Sequence, residues 1–137
     1  MRHNRRDHLN ALMMMAAMII TPQQIEALEI LKMEEVMPGY GLISQIIAQP
    51  GKGEELAQIL KAGSATMPGN FGYVVGQDKG NADALWVVEI WQAQAAHSAS
   101  LQLVEVRSAI KAGRPLIAGF GPRIEFEPFA ITGSVSN

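Results

Sequence analysis

The main body of this 137-residue sequence carries a single imidazole. His97 lies in "ALWVVEIWQAQAAHSASL", just after a run of strand formers gives way to small, helix-tolerant residues, whereas His3 and His8 sit at the extreme N-terminus. Imidazole titrates near neutral pH and can take a phenolic proton; equally, a histidine at a helix terminus can simply hydrogen-bond the backbone. Shortly upstream stand Glu89 and Trp91. A carboxylate within an otherwise apolar strand must find a hydrogen-bonding partner or have its pKa pushed up, so Glu89 is a proton acceptor or half of an ion pair. Arg107, Arg114 and Arg123 are the partners expected for it. Trp91 and Trp86 could wall a slot for a planar ring, or belong to core or interface, and the Tyr73 hydroxyl could orient a ligand oxygen or reach solvent. Asn70 and Ser100 are ordinary turn and helix residues until a pocket gathers them.

Several chemistries are excluded. The chain has no cysteine, so it has no disulfide, thiolate nucleophile or cysteine-ligated metal. One histidine in the main body, without clustered carboxylates, falls short of a metal ligand set. Gly76, Gly80, Gly113 and Gly119 match no phosphate-loop spacing, so no nucleotide is implied. A net charge of -2 offers no basic field to a nucleic-acid backbone.

These side chains must be positioned by elements that the pattern makes visible. "YGLISQIIA" reads as a first strand stopped by "QPGKG". "GEELAQILKAG" follows as a helix with Glu54 and Glu55 in its first turn and Leu56, Ile59 and Leu60 on one face. After the turn "MPGN", "FGYVVGQD" and "ALWVVEIW" form a hairpin through "KGNAD". Residues 92–113 read as a broken helical region, "GRPLIAGFGP" as a connection, and "RIEFEPFAIT" as a fourth strand whose Pro128 marks an edge. The order strand, helix, strand, strand, helix, strand is that of the ferredoxin-like βαββαβ α+β fold. Strands one and three carry apolar residues on both faces. With helices on one face only, the other is left for a second copy, a C2 homodimer.

Seven of the eight methionines fall within residues 1–37, which divides the chain into an N-terminal extension, 1–36, and a domain, 37–137. The extension opens with three arginines in six residues and an apolar run from Ala11 to Ile20, loosely like an export signal but with no A-x-A cleavage site. "TPQQIEALEILKMEE" instead has helix-start signals, with Thr21 as cap, Pro22 in first position and Gln24 completing a capping box. The expectation is a soluble helical extension, dispensable for the domain, that folds onto the dimer or swaps between protomers. "MEEVM" can also be encoded with a ribosome-binding sequence just ahead of Met37, making that residue an alternative start. The apolar run is too short to span a bilayer. A cytoplasmic location is expected, or export if residues 1–36 act as a signal.

From "MPGYGLI" through "ALWVVEIW", "AAHSASL" and "GRPLIAGF" to the fourth strand, residues 37–132 resemble the antibiotic biosynthesis monooxygenase family, and within it the small quinol monooxygenases. Glu89 with Trp91, then Ala96, His97 and Ser100, carry the most specific likeness. The resemblance implies a dimeric α+β barrel that oxygenates a quinol or polyphenol with molecular oxygen, using no metal, flavin or haem. It implies His97 as catalytic base, with Tyr73, Glu89, Trp91, Ser100 and Phe120 binding substrate and excluding water. The same barrel also hosts other activities, so a non-catalytic ligand-binding barrel or a cofactor-free isomerase or lyase are the alternatives.

Overall fold

The computed structural model of the chain describes residues 19–133. The chain divides into two compact units, Met1–Val36 and Met37–Asn137. In the first, helix α1 spans Pro22–Val36 and begins on a reciprocal capping box. The Gln24 amide donates to Thr21 Oγ1 at 3.2 Å and the Thr21 amide to Gln24 Oε1 at 2.9 Å, while Pro22 has no amide to leave unsatisfied. Most of the apolar run from Ala11 to Ile20 lies outside the described residues. Among the described residues no helix is long and apolar enough to cross a membrane.

The second unit runs β1 (Tyr40–Ala48), α2 (Gly53–Gly63), β2 (Asn70–Asp78), β3 (Asn81–Trp91), α3 (Gln94–Ser100), α4 (Val104–Gly113), a 3-10 turn (Arg114–Leu116) and β4 (Ile117–Phe126). The four strands form one antiparallel sheet in the order β2-β3-β1-β4. This is the ferredoxin-like α+β arrangement. Its register sorts the side chains. Tyr40 pairs with Trp91, Leu42 with Glu89, Ile46 with Leu85 and Tyr73 with Glu89, so these share the helix-covered face. Ile43 pairs with Val88 and with Ile124, and Val88 with Val74, on the other face. There Val74 and Ile124 remain more than half exposed. The core sits on the helix side, in two clusters built on Tyr40, Leu42 and Trp91, and on Ala48, Leu56 and Leu85.

Two features fix the helix layer. Asp83, on β3, accepts from the Gly51 and Gly53 amides, both at 3.1 Å, giving α2 a cap from a strand distant in sequence. A Cβ at Gly63 would collide with Ala109 Cβ, so this glycine lets α2 and α4 pack closely.

The fourth strand is the correction to the sequence reading. It begins at Ile117, inside the stretch read as a connection, and ends at Phe126, before Pro128. Ser44 pairs with Arg123 and Ile46 with Phe120, so Gly121 and Pro122 together oppose Gln45 in a bulge. A bulge on an edge strand is where a proline, lacking its amide, can be accommodated, and so the Gly/Pro punctuation did not end the strand.

Candidate active site

α3 opens three residues after Trp91 and places His97 above the face of β3 that carries Glu89. The His97 and Glu89 side chains are 16% and 12% exposed, and Nε2 lies 3.7 Å from Glu89 Oε2. This is an ion-pair separation rather than a hydrogen bond. The Glu89 carboxylate also accepts from Trp91 Nε1 at 2.9 Å. The imidazole is held between two aromatic rings. Trp91 meets it edge-on, with centroids 5.5 Å apart, and Tyr40 is tilted at 5.6 Å. Ser100 is buried and donates to the His97 carbonyl at 2.6 Å, tying the second turn of α3 to the histidine backbone.

His97, Glu89, Tyr73 and Ser100 line one cavity of about 130 Å³, whose mostly apolar wall includes Leu60, Met67, Leu101, Val106, Ala109 and Ile110. Burial, and secondly the Glu89 carboxylate, push the Tyr73 hydroxyl far above its ordinary pKa. Tyr73 therefore enters the cavity as a protonated donor. On the other side of His97, the Tyr40 hydroxyl donates to Glu125 Oε1 at 2.6 Å, and Arg123 Nη1 lies 3.1 Å from the same oxygen. The Tyr40 bond chiefly, with Arg123, holds the Glu125 carboxyl below its usual range.

Four of the six residues singled out from sequence thus line one cavity; the other two lie elsewhere. Trp91 is fully buried behind Glu89 and His97 and is no cavity wall, because its strand position points into the core under α3. Phe120 is 73% exposed and lines a separate apolar groove with Ile46, Ile117 and Arg114, since the β4 bulge sets its register. Trp86 lies on the opposite face, its Nε1 donating to Asp78 Oδ2 at 2.9 Å, so the two tryptophans form no common slot. The expected arginine partner of Glu89 is also corrected: the carboxylate meets Trp91 and His97, and Arg123 pairs with Glu125. Asn70 spends its amide on the Gly72 carbonyl at 3.2 Å. Tyr40 was not singled out from sequence. Its position beside His97 follows only from the register that sets it opposite Trp91.

Comparison with known proteins gives a consistent picture. The model of the antibiotic biosynthesis monooxygenase family matches residues 40–112, which include Tyr73, Glu89, His97 and Ser100. A crystal structure from Chloroflexus aurantiacus J-10-fl, provisionally assigned as an antibiotic biosynthesis monooxygenase, is 44% identical with a TM-score of 0.67, over 69% of this chain and 96% of that one. The fold is shared at lower identity by PA3566 from Pseudomonas aeruginosa, at 23% with a TM-score of 0.60, over 69% of this chain and 96% of that one. It is shared also by a Nitrosomonas europaea protein of the same provisional assignment, at 16% with a TM-score of 0.61, over 69% and 93%. Among curated proteins no match is found.

Proposed function

Given that the chain belongs to the antibiotic biosynthesis monooxygenase family, we propose that it oxygenates a quinol or polyphenol with molecular oxygen, with His97 as the base and without a resident cofactor. One observation carries the reading: an imidazole beside a carboxylate, with a protonated tyrosine hydroxyl, in a small and mostly apolar cavity. The barrier to such a reaction is the pairing of a singlet aromatic with triplet oxygen. Deprotonation eases it, because a quinolate gives up an electron far more readily than a quinol.

In this mechanism His97 takes one phenolic proton, and the imidazolium that forms is stabilised by Glu89. The quinolate passes one electron to oxygen, giving a semiquinone and superoxide. The two radicals combine at a ring carbon into a hydroperoxide, which loses water. One oxygen atom remains on the ring as a hydroxyquinone and the other leaves as water, so quinol and oxygen give hydroxyquinone and water. Tyr73 donates to a substrate oxygen, while Ser100 and Trp91 act indirectly by fixing His97 and Glu89. The apolar wall keeps water from the radical pair.

The reading extends to a homodimer. Ile43, Val74, Val88 and Ile124 form an apolar sheet face opposite the helices, and a second copy presenting the same face would cover it by C2 symmetry.

Oxygen-electrode assays of the purified protein against reduced naphthoquinones and polyphenols test the activity. Protein-dependent oxygen uptake with formation of the hydroxyquinone is expected. A protein that binds these compounds without consuming oxygen would instead be a ligand-binding barrel or a cofactor-free isomerase or lyase.

A further inference from the structure

A cavity of about 130 Å³ holds little more than one ring, since a cavity of about 150 Å³ is filled by benzene. A larger aromatic ligand must therefore leave the chamber somewhere. Leu101 and Ile110, which wall the chamber, also wall a wide open groove along α4. Into that groove come Arg107, Lys111 and Arg114, spaced so that they fall along one side of α4 and its following turn. Among the described residues none of the three is in an ion pair, and no carboxylate lines the groove. Val104, 75% exposed, lies among them, so the groove is apolar as well as cationic.

Three uncompensated cations in one groove stand out on a chain of net charge -2. The chamber, by contrast, is lined by one carboxylate, Glu89, and by no lysine or arginine. A ligand with both a phenolic hydroxyl and an anionic group has one favourable orientation across this gradient. Its hydroxyl points inward to His97 and Tyr73, and its anion outward to the cations, away from Glu89.

We propose that the groove of Arg107, Lys111 and Arg114 is an anion subsite, and that the ligand of this protein is an aromatic compound carrying a carboxylate or similar acidic substituent, its ring in the His97 chamber. The proposal deepens the quinol reading and rests on it only in placing a ring in that chamber. Binding, rather than turnover, tests it independently.

The probes are 2-naphthoate and its neutral analogue 2-naphthamide, titrated calorimetrically into the full chain. Naphthoate should bind about tenfold or more tightly at low salt, the scale of a charge-assisted hydrogen bond, and the difference should shrink as salt is raised. The double variant Arg107→Gln/Lys111→Gln should lose the preference while keeping its affinity for naphthamide. Equal affinities in the parent protein, or a preference that survives in the folded double variant, overturn the subsite. If naphthoate is preferred but neither its 1,4-dihydroxy analogue nor any of the reduced naphthoquinones and polyphenols consumes oxygen, the oxygenase reading fails and the anion subsite stands.

Discussion

Tyr73 and Glu89 face one another across β2 and β3, and the carboxylate reinforces what burial does to the phenol. Because the folded state holds the Tyr73 proton beyond the ordinary value of 10.0, this group's stabilising contribution is complete below that pH and is lost as the pH rises further. Tyr40 is shifted in the same direction, chiefly by desolvation and then by its bond to Glu125. Absorbance titration at 295 nm should thus show little tyrosinate at pH 10, with ionisation accompanying alkaline unfolding; half-ionised tyrosine in the folded protein at that pH would contradict the geometry. Glu89→Gln removes the smaller of Tyr73's two causes, so its ionisation should move to lower pH yet stay above the ordinary value. His97→Ala should lower quinol turnover about a hundredfold or more, the usual scale for a general base. His97→Gln, which hydrogen-bonds but takes no proton at neutral pH, should be nearly as inactive in oxygen uptake. Wild-type uptake by the Gln variant would leave His97 a structural residue.

The close packing of α2 on α4 makes Gly63→Ala an element-scale test, because the added methyl meets Ala109 across the helix pair. The helices must part or tilt, which should cost about 1–3 kcal/mol in denaturant unfolding. Gly63, Ala109 and Ile110 also line the cavity, so ligand affinity should fall in the same variant. How far such elements could be read beforehand depended on where their information lies. β1 and α2 are bounded by "QPGKG" and by a one-sided apolar stripe, and the structure has them at the residues read. β4 was displaced because a bulge, which accommodates Gly121 and Pro122, cannot be told from a turn without its partner strand. The likeness of "EIW" and "AAHSASL" to a family brought out Glu89, His97 and Ser100, which do share a cavity. The indole partner of Glu89, the place of Tyr40 and the exposure of Phe120 are matters of register and rotamer, to which spacing along the chain is blind.

For the whole molecule the register decides which strand face a second copy would cover. Ile46 packs against the core cluster around Leu56, whereas Val88 lies on the uncovered side between Ile43 and Val74. Val88→Lys should therefore shift sedimentation from dimer to monomer and lower stability, as expected of an obligate interface. A stable monomer of the parent protein at micromolar concentration would remove the dimer. A chain starting at Met37 should keep the circular dichroism and melting behaviour of the domain, and its failure to fold would make residues 1–36 part of it. The cap that Asp83 places on α2 bears on how the chain comes off the ribosome. The residue that satisfies the Gly53 amide is 30 positions downstream, so at about 5–20 residues per second the helix waits about 1.5–6 s for it. An 11-residue helix is marginal by itself, and β1 has no neighbour until β3 is made. Nascent chains stalled before Asp83 clears the tunnel should remain protease-sensitive throughout, with protection arriving in one step once the β2–β3 hairpin is out. The first third of the domain is thus a client of its own later sequence, and a pause in translation between Gly63 and Asp83 would lengthen the time it spends exposed to chaperones and proteases.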